Sequence, residues 1–155
     1  MKTLSTLLLA LIISSSFGQE VIKGTATKVY DGDTFTLVTQ TGDNIRIRVV
    51  GIDAPEKDQE YGIEAGNFAK TLIDQKKVTV YLETGETYGR KLGVVITSDG
   101  RHFNYEMVKN GYAWHYKQYN SDKFLIAAQK EAKANKVGLW SKNNPTAPWE
   151  HRRNR

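Results

Sequence analysis

The chain has 155 residues, 39% of them hydrophobic, with 22 lysines and arginines against 17 aspartates and glutamates and no cysteine, for a net charge of +5. That is the length of one domain with one core. It excludes a disulfide-stapled fold and a cysteine-ligated metal, and its modest positive excess suits a polyanionic partner.

Residues 1–18 stand apart from the rest. Lys2 precedes an unbroken apolar run over residues 7–13, and Ser16-Phe17-Gly18 puts small residues at the two positions a signal peptidase reads. This is the layout of a secretory signal peptide cleaved before Gln19. The run is too short for a membrane span, which needs about 20 apolar residues. The expectation is a protein secreted or periplasmic, free of the membrane once cleaved. Its folded domain covers residues 19–142 and an extended basic tail, marked by Pro145 and Pro148, covers 143–155.

The first half of the mature chain reads as strands. Residues 21–30 are rich in β-formers, and a second strand over 34–39 follows an Asp-Gly turn signal. In residues 44–50, Ile45, Ile47 and Val49 alternate with Arg46 and Arg48, and residues 40–43 form the hairpin between these two runs. Ala65, Phe68, Ala69, Leu72 and Ile73 recur at helical spacing, predicting a helix within 60–75. Val78, Val80 and Leu82 alternate as a strand. Residues 92–96 form a continuous apolar run, the pattern of a strand covered on both faces. A second helix is expected from Asn104 as its N-cap, with Met107 and Val108 inward and Gly111 closing it. A third starts at Asn120-Ser121-Asp122, buries Leu125, Ala128 and Ala132, and ends by Gly138. Five strands with a helix between the third and fourth is the element order of an OB-fold barrel, an architecture that often binds oligonucleotides.

Three segments carry candidate chemistry: Asp31-Gly32-Asp33-Thr34, Arg48-Val49-Val50-Gly51-Ile52-Asp53-Ala54-Pro55-Glu56, and Tyr88-Gly89-Arg90. Carboxylates in turns, together with backbone carbonyls, suit a hard cation that takes several oxygen ligands. His102, His115 and His151 lack metal-ligand spacing, which argues against zinc. A guanidinium can hold two phosphate oxygens at once and never loses its charge. Arg46 reads as a solvated strand face. Tyr105 and Tyr112 read as packing residues, and Trp114, Trp140 and Trp149 as core or tail anchors.

These segments, in this order and at these separations, resemble the staphylococcal nuclease (thermonuclease) family. The likeness runs from about Val21 to Trp140 and includes Tyr61-Gly62-Ile63-Glu64-Ala65, Asn110-Gly111-Tyr112-Ala113-Trp114 and Gly138-Leu139-Trp140. It implies an α+β fold, a five-stranded OB barrel with three helices, and a calcium-dependent phosphodiester hydrolase that cuts DNA and RNA to leave 3′-phosphates. By position, Asp33 and Asp53 would bind Ca2+ through carboxylates and Ala54 through its carbonyl, with Asp31 behind them. Glu56 would be the general base, and Arg48 and Arg90 the phosphate-gripping pair. Tyr88, Tyr116, Lys117 and Tyr119 would meet a single-stranded or locally melted substrate. No protein partner is implied, and a monomer is expected. The chain departs from the family's best-known member in carrying Ala54 for threonine and in its short segment between Glu56 and Tyr61. Two other readings compete: a non-catalytic nucleic-acid-binding OB module, and an exported calcium-binding protein whose acids only stabilise the fold. The first must explain why acids and arginines are retained together, and the second gives Arg48 and Arg90 no task.

Overall fold

The computed structural model describes residues 19–155, so the expected signal peptide lies outside the described residues. Strands β1 (Val21–Val29), β2 (Thr34–Thr39) and β3 (Asn44–Val49) run as an antiparallel meander. A short β4 (Ile52–Asp53) and helix α1 (Gly62–Ile73) lead to the hairpin of β5 (Lys77–Thr87) and β6 (Arg90–Thr97). Then come α2 (Phe103–Lys109), β7 (Trp114–His115), α3 (Lys123–Ala134), a 3-10 turn (Gly138–Ser141) and α4 (Pro148–Arg153).

Five strands close into a barrel in the order β1-β2-β3-β6-β5. β5 returns to β1 antiparallel, and β3 meets β6 in parallel, with Arg48 opposite Leu92. This is the expected α+β, OB-like arrangement. The alternation seen in the sequence is what fills the barrel: Phe35, Leu37, Ile47, Val49, Val78, Val80 and Val95 are buried. Each large aliphatic buried this way contributes about 1.5–3 kcal/mol. Helix α1 buries Ala65, Ala69, Leu72 and Ile73, and the two alanines let it lie close to the same core. Among the described residues no helix is long and apolar enough to cross a membrane.

Four expectations are corrected. Strand β6 alternates between buried and half-buried positions instead of being covered on both faces, because only one side of a barrel strand faces the interior. Asn104 is not an N-cap: His102 precedes α2, and the buried Asn104 accepts from Val95 N at 3.2 Å and donates to Val50 O at 2.6 Å. It fastens the helix to the barrel. Helix α3 has the expected buried face, with Asp122 capping Phe124 N at 2.8 Å, but it ends at Ala134. Gly138 instead opens the 3-10 turn.

The fourth correction concerns the tail. Residues 148–153 are helical, with Pro148 in the first turn and Glu150 and Arg152-Arg153 on the favourable ends of the helix dipole. Ala147 and Pro148 are buried, and Trp149 packs edge-on to Trp114 at 5.4 Å. Apolar burial fixes this segment, so it is no loose extension.

Candidate active site

The β1–β2 turn supplies the first carboxylates. Asp31 Oδ1 accepts from Asp33 N at 2.9 Å, which closes the turn on itself. Gly32 lets the turn lie flat, since a Cβ there would come within 2.6 Å of the Ala54 Cβ. Asp33 Oδ2 in turn accepts from Ala54 N at 2.7 Å, joining this turn to the segment that follows β3.

Arg48 stands at the end of β3 and joins both buried aspartates. Its Nη1 lies 3.1 Å from Asp33 Oδ2 and its Nη2 3.0 Å from Asp53 Oδ1. Nη1 also donates to Val49 O and Ile52 O, so the guanidinium has little rotational freedom. Asp53 is held from behind by a two-stranded ladder in which Ile52 faces His115 and Asp53 faces Trp114. This ladder also brings Tyr116 to the site, because Tyr116 N donates to Gly51 O at 2.9 Å.

Glu56 follows after Pro55 and is half-buried. Its backbone is folded tightly against the start of α1: a Cβ on Gly62 would sit 1.7 Å from Glu56 O. Only glycine fits there, and this close approach determines where the Glu56 side chain starts.

Arg90 arrives from the far side of the mouth because β6 pairs in parallel with β3. Its Nε donates to Thr87 O at 3.1 Å, and its Nη1 is 3.5 Å from Thr34 Oγ1. Among the described residues Arg90 has no salt bridge. Tyr88, at φ 52° and 92% exposed, projects from the hairpin tip with the Arg90 guanidinium 5.8 Å from its ring.

These groups line one open cleft of about 700 Å³. It contains Asp31, Asp33, Arg48, Asp53, Ala54, Glu56, Tyr88, Arg90, Tyr116 and Tyr119. Of the site residues expected from the sequence, only Lys117 is absent from its walls; it is exposed on the loop after β7. The ring of Tyr116 stacks on Trp149 at 5.3 Å and meets Tyr119 edge-on, so one of its faces is already covered.

One wall residue was not singled out from the sequence. Arg152 of α4 reaches Asp53 Oδ2 at 2.7 Å, Asp53 Oδ1 at 3.1 Å and Glu56 Oε1 at 2.8 Å. No local pattern predicts a contact across 99 residues. The available signal was the helix-start grammar of Pro148-Trp149-Glu150, which marks a docked element.

Burial sets the electrostatics. It pushes the Asp31 carboxyl up to about 7, with the charge of Asp33 adding to the effect. Burial also raises Asp53, against the pull of its hydrogen bond from Arg152. Burial and then the Asp53 charge raise Tyr116. Carboxylates this short of compensation fit a hard divalent cation. Asp33, Asp53 and the Ala54 carbonyl are oxygen donors of the right class. Among the described residues no group of three or more acids, histidines or cysteines is poised to hold a metal by itself. The two aspartates are engaged with Arg48, and Asp53 with Arg152 as well.

Comparison with known proteins identifies the family. Residues 46–142 match the family described as staphylococcal nuclease homologue. An uncharacterized endonuclease of Escherichia coli O157:H7 is 45% identical over 128 residues, covering 83% of each chain. One of Haemophilus influenzae is 39% identical over 150 residues, covering 97% of this chain and 84% of its own. The staphylococcal-like nuclease CAN1 of Arabidopsis thaliana is 38% identical over 110 residues, 71% of this chain but 34% of that larger protein. With a closed five-stranded barrel whose mouth gathers three guanidiniums and five carboxyl groups, the chain belongs to the staphylococcal nuclease family of phosphodiester hydrolases.

Proposed function

We propose that the protein is an exported, calcium-dependent nuclease that hydrolyses single-stranded or locally melted DNA and RNA and leaves 3′-phosphate ends. The observation that carries this reading is the juxtaposition of Glu56, and of Arg90 with no salt bridge among the described residues, with the Asp33–Arg48–Asp53 bridge in one open cleft.

Each residue has a task that follows from its chemistry. Arg90 offers a guanidinium with no carboxylate partner among the described residues, and Arg48 a rigid one; both gain most from a phosphate whose equatorial oxygens collect charge in the transition state. Glu56, half-buried at the cleft wall, accepts the proton of the attacking water. Asp33, Asp53 and the Ala54 carbonyl would hold Ca2+, with Asp31 behind them. When bound, the ion draws charge off a non-bridging phosphate oxygen and helps orient the water. Among the described residues no serine or cysteine lines the cleft, which favours direct attack by water.

Tyr88 and Tyr119 are exposed at the rim and suit base stacking, which every base permits. Lys91 and Lys117 add positive charge along the approach. Binding is therefore sequence-tolerant and weakens with salt. The protein acts as a monomer without a protein partner.

The test is a cleavage assay of the purified mature protein on single-stranded DNA and on RNA, with calcium and with excess chelator. Cleavage only with calcium, and 3′-phosphate ends, are expected. Undiminished cutting in chelator would remove the metal from the reading. Binding of nucleic acid without any cutting would favour the non-catalytic module instead.

A further inference from the structure

The C-terminal helix places a third guanidinium at the chemical centre of the cleft. Arg152 takes both oxygens of Asp53 and one of Glu56, in fork-like geometry. The helix that carries it is anchored independently of these contacts. Trp149 stacks on Tyr116 and meets Trp114 edge-on. Thr146 O accepts from Gln59 Nε2 at 2.6 Å, and His151 and Arg155 pair with Asp58. α4 is thus strapped across the segment that follows Glu56.

From this we infer that Arg152 is an exchangeable internal cation: it neutralises Asp53 and Glu56 until a divalent ion displaces it, so that docking of α4 and metal loading oppose each other. The inference rests on the metal-dependent reading of the site given above.

Charge and lone-pair counting support it. Asp33, Asp53 and Glu56 carry three negative charges, against two positive ones from Arg48 and Arg152. Exchange of Arg152 for a divalent ion makes this cluster neutral. Oδ1 of Asp53 already accepts from both Arg48 and Arg152, which uses its two lone pairs. Oδ2 also accepts from Arg152, so an ion at Asp53 must either take or share an oxygen that Arg152 holds, and its charge repels the guanidinium. The exchange is feasible because Arg152 keeps 39% of its side chain exposed, so solvent screens its attraction and can receive it on release. The same contact occupies Glu56, so release of Arg152 also frees the proposed base.

The test measures metal binding itself. Calcium is titrated by calorimetry, at fixed ionic strength, into wild type, Arg152→Ala, Arg152→Gln and Arg153→Ala. Arg153 carries the same charge on the same helix with no ion pair among the described residues, so its variant reports the long-range effect of charge alone. Both Arg152 variants should bind calcium about tenfold more tightly than wild type, the usual scale of a coupling between two sites. Arg153→Ala should stay within a factor of about two, as expected for a screened surface charge. Because coupling is reciprocal, saturating calcium should also speed amide hydrogen exchange over residues 148–154 in wild type and not in Arg152→Gln. Near-ultraviolet circular dichroism checks that the variants are folded. Equal or weaker calcium binding by both Arg152 variants, while wild type binds, overturns the exchange and leaves the metal-dependent reading intact. If neither wild type nor the variants bind calcium, that reading falls and the exchange falls with it.

Discussion

Asp31, at the wall of the cleft, and Asp99, in the turn that follows β6, are the same residue in opposite circumstances. Asp99 is exposed and fully served: Oδ1 accepts from Thr97 Oγ1 at 2.5 Å, and Arg101 donates to Oδ2 from Nε at 2.9 Å. Those hydrogen bonds, from Arg101 first and then Thr97, hold its carboxyl down at about 2. Asp31 is sunk beside Asp33, with Arg48 committed elsewhere, and is pushed up to about 7. One carboxylate is arranged to settle a turn. The other sits in a cluster whose negative charge is left undersupplied, as expected where a site is built to attract a cation at some cost to the fold.

Removing charge from the working cluster should hurt function far more than removing it from the turn. Glu56→Gln should slow cleavage by roughly 10²–10⁴ with unchanged thermal unfolding, as expected for loss of a general base. Near-full activity in that variant, measured as single-turnover cleavage, would take Glu56 out of the chemistry. Arg48→Ala should abolish cleavage and also destabilise the metal-free protein by about 3–5 kcal/mol in denaturant titration, because Asp33 and Asp53 would be left buried without their bridging partner. Retained stability would show that water or Arg152 takes over from Arg48.

The two aspartates themselves give the smallest and most diagnostic effects. Asp31 is protonated more readily in the folded chain than in the unfolded one. The stability this contributes is full below about pH 4 and is lost as pH rises through about 7. In chelator, Asp31→Asn should therefore flatten the decline of melting temperature between pH 4 and 8 and melt above wild type at pH 8. Asp99 runs the other way: its contribution is present above the ordinary carboxyl range and is lost as pH falls through about 2. Asp99→Asn should lower the melting temperature slightly at neutral pH, with the difference closing in acid and cleavage unaffected. Parallel pH profiles for the two variants would show that the contrast between the regions is not electrostatic.

The barrel was readable because its signals are local and repeat. Ile45, Ile47 and Val49 alternate with Arg46 and Arg48, and the structure puts the inward set in the core while Arg46 lies over the Tyr30 ring at 4.4 Å. The acids and arginines of the cleft were readable from three short motifs, and the barrel brings them together as expected. What escaped was held by distant partners. Asn104 has the chemistry of a cap but bonds the backbone of β6 and of the turn after β3 instead, a choice only the packing of α2 on the barrel decides. Arg152 looked like one of several basic tail residues until Trp149 found its place between Trp114 and Tyr116. The β4–β7 ladder, two residues on each side, is too short to leave any pattern.

The parallel pairing of β3 with β6 means that the catalytic mouth does not exist in pieces. Arg48 and Arg90 become neighbours only after α1 and β5 have carried the chain around and the cylinder has shut. A fragment stopping short of β6 lacks Arg90 altogether, and a molecule with that seam open carries two separated guanidiniums with no place for a phosphate between them. The proposed grip on phosphate is thereby complete only in the closed barrel, and a copy with that seam open lacks it.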